Sequence, residues 1–167
     1  DEMDHHALKN ENGGGSLLDV GVYGLNFASW YLGKAILEAK SFADKYNGTD
    51  SHTCTLIKYE NGAIADLSCA TLLRKPNEGY IYGTKGYVHL NRFYAPQEIE
   101  INLLDGTNEK IEVKYAGNGF EEQIQHVCDC LNKGLKESPI NTKEQTIFII
   151  KQMDETRKDI GIVYPQA

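Results

Sequence analysis

The sequence predicts an α+β domain: a mainly antiparallel, open β-sheet with helices packed on one face. A helical apolar pattern occupies about residues 16–32. Period-two alternation with turn signals every ten or so residues fills 35–115, and two more helical patterns follow. Strands spaced this closely leave no room for crossover helices, so neighbouring strands run antiparallel. Helices at the two ends of such a meander cover one face and leave the other to water or a second subunit.

The bulk numbers narrow the function classes. A chain of 167 residues is long enough for one domain with its own core. A net charge of −7, with no lysine- or arginine-rich run, argues against nucleic acid and against anionic membrane. No apolar run approaches the roughly 20 residues of a membrane span, and no signal peptide opens the chain. Cys54, Cys69, Cys128 and Cys130 include no Cys-x-x-Cys pair, so no metal site is expected and a reducing, cytoplasmic setting fits.

Residues 1–12 read as a polar leader or linker, and 13–167 as the folded domain. The start, Asp1-Glu2-Met3-Asp4-His5-His6, has no initiator methionine and resembles a piece of something longer. Gly13-Gly14-Gly15 then opens into a helix over 16–32 that is apolar on nearly every side, which predicts burial. Its exceptions, Ser16, Asp19, Tyr23, Asn26 and Trp30, are spaced 3, 4, 3 and 4, which places them in one line. Gly33 is a natural stop.

Strands are expected at about 36–45, 53–60, 63–71, 80–82, 87–90, 98–104 and 109–115. Asn61-Gly62 is expected to form a two-residue type I′ hairpin turn. That register sets Cys54 opposite Cys69 as a hydrogen-bonded pair, a geometry poor for a disulfide, so buried free thiols are expected. Phe120, Ile124, Val127, Cys128 and Leu131 form an amphipathic stripe on the next helix. Thr142 and Gln145 have capping-box spacing before the last, whose apolar set includes Ile147, Ile150 and Met153.

Several residues carry possible chemistry. The glycine run invites a phosphate cradle at Gly14 and Gly15, yet it lacks Gly-x-Gly-x-x-Gly spacing and a preceding strand. Close backbone passage explains it more simply. Asp19 and Tyr23, at i and i+4, bring a carboxylate and a phenol together. They suit proton transfer at a hydroxyl-bearing carbon, and a structural hydrogen bond in a core helix explains them equally well. A phenol titrates at about 10 and a neighbouring carboxylate raises it, so a tyrosine base at neutral pH needs a cation beside it. No lysine or arginine shares this helix face. Arg74-Lys75-Pro76 is a basic loop that could rim a site; His52, His89 and His126 lack ligand spacing. Tyr59, Tyr80, Tyr82, Tyr87 and Tyr94 suit a sheet-face subunit interface.

The run Gly13-Gly14-Gly15-Ser16-Leu17-Leu18-Asp19-Val20-Gly21-Val22-Tyr23 resembles the helix opening the C-terminal part of the glucose–fructose oxidoreductase/inositol dehydrogenase/MocA-type oxidoreductases. Its tyrosine is similar to that of the dihydrodiol and xylose dehydrogenase branch. Gly83-Thr84-Lys85-Gly86, Gly119-Phe120-Glu121, the stretch Met153-Asp154-Glu155-Thr156-Arg157-Lys158, Gly161 and Tyr164-Pro165 extend the resemblance over nearly the whole chain from Gly13.

The resemblance implies the C-terminal, substrate-binding and oligomerisation domain of an NAD- or NADP-dependent enzyme acting on a sugar, polyol or cyclic diol. The Rossmann domain that holds most of the cofactor, with the family's Glu-Lys-Pro lysine, is not in this chain; that lysine would be the missing cation. Asp19 and Tyr23 fall at the family's active-site positions, although many members have His in place of Tyr23. Asn26 and Arg74 are the expected substrate contacts, and Gly14 and Gly15 the expected cofactor contacts. The piece alone is expected to be inactive, and a homo-oligomer through the sheet face is expected. The alternative is a non-catalytic binding or oligomerisation module.

Overall fold

In the computed structural model, which describes residues 6–165, the chain divides into two compact units. One holds the residues up to Lys75 together with those from Lys143 onward; the other is Pro76–Thr142. Residues 1–5 of the expected leader lie outside the described residues. The rest of it is not simply polar chain. His6–Leu8 and Asn10–Asn12 form two 3-10 turns, and Ala7 and Leu8 are buried.

In the first unit, one π-helical turn, Leu17–Gly21, runs straight into helix α1, Val22–Leu32, which ends at Gly33 with φ +89°. Strands β1 (Ile36–Tyr46), β2 (Thr49–Tyr59) and β3 (Ile64–Ala70) form an antiparallel sheet in chain order. Helix α3, Lys143–Ile160, packs with α1 on one face of this sheet. The core is Leu17, Leu25 and Ala28 from the helical segment, Ile57, Tyr59 and Ala65 from the sheet, and Ile149 and Met153 from α3.

Two Asn-Gly pairs that border strands of this sheet form different turns. Asn47 and Gly48 both have positive φ, +49° and +76°, so the two-residue turn of positive φ joins β1 to β2. At the second pair only Gly62 is left-handed, with φ +86°. The Tyr59 N–H donates to Ala63 O and the Gly62 N–H to Tyr59 O, which makes a three-residue loop ending in a glycine bulge. The Asn61 side chain holds it, accepting from Ala63 N–H at 3.0 Å and donating to Leu32 O at 3.1 Å.

The register therefore differs by one residue from expectation. Cys54 pairs with Ser68 and Cys69 with Thr53. A one-residue slip moves side chains to the opposite face. Cys54 is accordingly exposed, Cys69 is partly buried on the helix side, and all four cysteines are free. Tyr59 points into the core rather than toward an interface.

The second unit carries β4 (Gly79–Gly83), β5 (Gly86–Leu90), β6 (Glu98–Leu103) and β7 (Asn108–Glu112) in an antiparallel sheet of chain order. It also holds α2, Phe120–Asn132. Each expected strand is present, but the meander forms two sheets rather than one. The α2 stripe is present too, with Phe120, Ile124, Val127 and Leu131 all exposed rather than buried. Its first turn is fixed by Glu121, which accepts from the backbone N–H groups of Gly117, Asn118 and Gly119. Backbone hydrogen bonding holds this carboxyl below the usual range.

The buried face of α3 also differs from expectation. It runs Gln145, Ile149, Met153, Thr156, Ile160, while Ile147 and Ile150 are exposed. Polar Gln145 belongs to that face because its Nε2 donates to Ser29 Oγ at 2.7 Å and Asn26 Oδ1 at 3.3 Å on α1. Counting apolar residues alone rotates the helix to the wrong side.

Candidate functional site

The glycine run is shaped by its own chain. A Cβ on Gly14 would meet the Ala7 backbone at 2.8 Å, and one on Gly15 would overlap Asp50 Oδ1. Gly15 has φ +129° and its N–H donates to Ala7 O at 2.8 Å. Tyr164 Oη donates to Gly14 O at 2.7 Å. The room that a Cβ would need at the expected cofactor residues is thus taken by Ala7 and Asp50, which accounts for glycine at both positions.

Asp50 was not apparent in the sequence. It is 0 % exposed, and its Oδ2 accepts from Ser16 Oγ at 2.6 Å, Leu17 N–H at 2.7 Å and Thr53 Oγ1 at 2.7 Å. Oδ1 has no hydrogen-bond partner. Strand alternation would place residue 50 with exposed Cys54 and Leu56. A bulge prevents this: Asp44 pairs with His52 but Lys45 with Asp50, so Ser51 is the extra residue. Such an insertion re-aims the side chains beyond it. Asp50 consequently shares the helix-covered face with Thr53, Thr55 and Ile57. The Tyr164 phenol is pushed up to about 12 by burial and by Asp50, against the opposing charge of Arg157. The Arg157 guanidinium lies 4.9 Å from the Tyr164 ring centre.

The expected polar line divides in two. Ser16 turns inward to Asp50, whereas Asp19, Tyr23 and Trp30 are exposed, Tyr23 by 50 %. Val20 and Tyr31 are exposed beside them, so the helical segment buries one side and presents an aromatic and acidic face on the other. Asp19 and Tyr23 are therefore not a core pair. The exposed face explains why a helix with so few charges carries a carboxylate and a phenol. Asn26 is half-buried, its Nδ2 donating to Val22 O at 2.9 Å while Oδ1 accepts from Gln145. Arg74 is exposed in the segment after β3.

Two further polar clusters escaped sequence spacing. On the exposed side of the three-stranded sheet, His52 Nε2, Cys54 Sγ and Ser68 Oγ lie within 3.1–3.4 Å of one another, and Lys75 Nζ donates to Ser68 Oγ. In the second unit, His89 stacks on Tyr80 at 4.5 Å and lies between Glu100, at 3.1 Å, and Glu78, at 3.7 Å. The His89 hydrogen bond lowers Glu100 below its ordinary value. His126 bonds Ser138 Oγ at 2.8 Å. Among the described residues, no group of three or more His, Cys, Asp or Glu is placed to hold a metal ion.

The profile of the GFO/IDH/MocA C-terminal domain matches residues 1–89, more than half of the chain. The chain belongs to this family. The trans-1,2-dihydrobenzene-1,2-diol dehydrogenase of Mus musculus is 30% identical over 163 residues, covering 92% of this GFO/IDH/MocA domain and 48% of the relative. The Xenopus laevis protein of the same name is 32% identical over 171 residues, covering 95% and 51%. The chain thus spans about half the length of the curated relatives it matches. Among solved structures, an aldose-aldose oxidoreductase from Caulobacter crescentus complexed with glycerol superposes with a TM-score of 0.75 at 20% identity, covering 88% of this chain and 45% of that one. KijD10, a 3-ketoreductase from Actinomadura kijaniata in complex with NADP and TDP-benzene, superposes at 0.73 and 22%, covering 89% and 46%. These likenesses establish the α+β fold with antiparallel open sheets. No helix among the described residues is long and apolar enough to cross a membrane.

Proposed function

We propose that this GFO/IDH/MocA domain is the substrate-facing half of an NAD- or NADP-dependent oxidoreductase that oxidises a hydroxyl-bearing carbon of a sugar, polyol or cyclic diol. The observation that carries this reading is the exposed Asp19/Tyr23 face on a helical segment anchored from behind. The relatives named as dihydrodiol dehydrogenases support the substrate class. The nicotinamide cofactor, which accepts the hydride in such chemistry, is assigned mainly to a half outside this chain.

In this reading the Asp19 carboxylate accepts hydrogen bonds from substrate hydroxyls and fixes the orientation of the reacting carbon. Tyr23 receives the hydroxyl proton, assisted by a cation that the other half supplies, since no lysine or arginine shares its helix face. Arg74 contributes a polar rim, and Asn26 holds the helix pair through Gln145 while offering what remains of its amide to substrate. The exposed tyrosines of the four-stranded sheet, Tyr80, Tyr82 and Tyr87, form the face through which copies associate. The setting is cytoplasmic, in keeping with four free thiols.

The test is turnover of the full-length enzyme. Tyr23→Phe is expected to lower kcat about 100-fold, the usual scale for a lost proton-transfer group, with an unchanged circular dichroism spectrum. Asp19→Asn is expected to act mainly on substrate KM. Wild-type kinetics in both variants would return the domain to a non-catalytic binding or oligomerisation module. By calorimetry the isolated chain is expected to bind NAD or NADP negligibly; micromolar binding would refute the placement of the cofactor in the other half.

A further inference from the structure

Asp50 lies behind the helical segment that carries the site, fully buried and bonded to its start. All three of its donors converge on one oxygen, Oδ2, and they come from two places. Thr53 Oγ1 belongs to the sheet, whereas Ser16 Oγ lies just before the π turn and the Leu17 N–H opens it. Asp19 lies two residues beyond Leu17, and Tyr23 begins the next turns of the same continuous helix. The helix start has other ties as well: Leu17 lies in the core, Cys69 Sγ donates to Ser16 Oγ at 3.5 Å, and Tyr164 Oη donates to Gly14 O at 2.7 Å. The Asp19 N–H donates to Gly15 O at 3.1 Å, and Gly15 itself is pressed against Asp50 Oδ1. Among these ties the buried Asp50 carboxyl is the one that joins Ser16 Oγ and the Leu17 N–H directly to Thr53 on the sheet.

We propose that Asp50 is the positioning residue for the Asp19/Tyr23 face, acting through Ser16 and Leu17 without touching substrate. The inference rests on the functional reading above. It adds a residue on another strand, brought there by the Ser51 bulge. The clamp works by the position of Oδ2. A misplacement of about 1 Å at reacting groups is enough to lower turnover by as much as 100-fold, so a clamp remote from the chemistry registers in kcat.

The geometry separates position from charge. Because Oδ1 has no partner, an asparagine whose amide oxygen takes the place of Oδ2 still accepts all three donors. Asp50→Asn should therefore rescue what Asp50→Ala loses. In this chain, Asp50→Ala is expected to speed amide hydrogen exchange at Leu17–Gly21 about 10-fold relative to the Ile57 amide, and Asp50→Asn by no more than about 3-fold. In the full-length enzyme, Asp50→Ala is expected to lower kcat about 10-fold with cofactor KM unchanged, and Asp50→Asn to recover it to within about 3-fold of wild type.

Three results would overturn the proposal: wild-type exchange at Leu17–Gly21 in the Ala variant, wild-type kcat in a folded Ala variant, or an Asn variant as impaired as Ala. If Asp50→Ala does not fold, Ser16→Ala removes one donor and is expected to lower kcat about 3-fold; an unchanged kcat overturns the proposal equally. Loss of the functional reading itself is visible separately, as wild-type turnover in Tyr23→Phe and Asp19→Asn.

Discussion

The three-stranded sheet buries one face from Ser41 and Thr55 through Ile57 and Tyr59 to Ala65, whereas the four-stranded sheet buries only Gly79 and Leu90 among its strand residues. Helix α3 buries five residues and α2 none. Both units have the strand alternation and helical periodicity from which a core is expected, yet only the first assembles one. Polar residues account for part of the difference. In the first unit, Ser41 bonds Thr55 at 3.0 Å, Gln145 bonds Ser29, and Asp50 bonds three donors. Satisfied polar groups can be buried with little penalty, and they fix which face of each element turns inward. The second unit instead stacks the exposed Tyr80 on a half-buried His89 flanked by carboxylates.

The largest test of this contrast removes side-chain bulk from each unit. Ile57 is 1 % exposed and Leu131 69 %. Ile57→Ala is expected to destabilise the chain by about 3–4 kcal/mol in urea unfolding, the range for a buried aliphatic truncated to alanine. Leu131→Ala is expected to change stability by less than about 0.5 kcal/mol. A large loss at Leu131 would mean that the α2 stripe is covered in solution, and the contrast between the units would fall.

A smaller effect separates the glycines. Gly15 and Gly106 both have positive φ, +129° and +89°. A Cβ at Gly15 also overlaps Asp50, while one at Gly106 has nothing within 4 Å. Gly106→Ala should cost about 1 kcal/mol from the backbone alone, and Gly15→Ala at least about 2 kcal/mol because the Asp50 clamp must shift as well. Equal losses in thermal unfolding would show that Asp50 yields readily and is a poor clamp.

Much of the fold was legible because its signals are local. Among the described residues, the seven strands, the three α-helices and the stop at Gly33 follow from periodicity and turn residues. What remained hidden depended on one-residue events. Asn61-Gly62 and Asn47-Gly48 share a dipeptide, and only the φ of the asparagine decides between a two-residue turn and a bulged loop. That choice put Cys54 and Cys69 on opposite faces of the sheet. The Ser51 bulge likewise brought Asp50 inward against the alternation. At the site, Asp19 and Tyr23 stood out by type and spacing, but their exposure did not, because the same apolar neighbours suit a helix buried on one side or on all. Asp50 was invisible for a simple reason: an acidic residue just after a turn looks like any solvated one until the register is known.

The smallest effect concerns the thiols on the two sides of that register. Burial, reinforced by the Asp50 charge and opposed by a hydrogen bond with Ser16, pushes the Cys69 thiol from its ordinary 9.0 up to about 11. Cys128 is exposed on α2. Below pH 9 Cys69 is protonated in both folded and unfolded chains, and its contribution is fully present. Between pH 9 and about 11 the unfolded chain releases the proton while the folded chain keeps it, so stability falls as pH rises and levels off above that window. Urea unfolding across this range should show it in wild type and in Cys128→Ser, and should show a shallower fall in Cys69→Ser, which has no thiol to titrate. Identical slopes in the two variants would place Cys69 in a solvated environment, against its partly buried position on the helix side of β3.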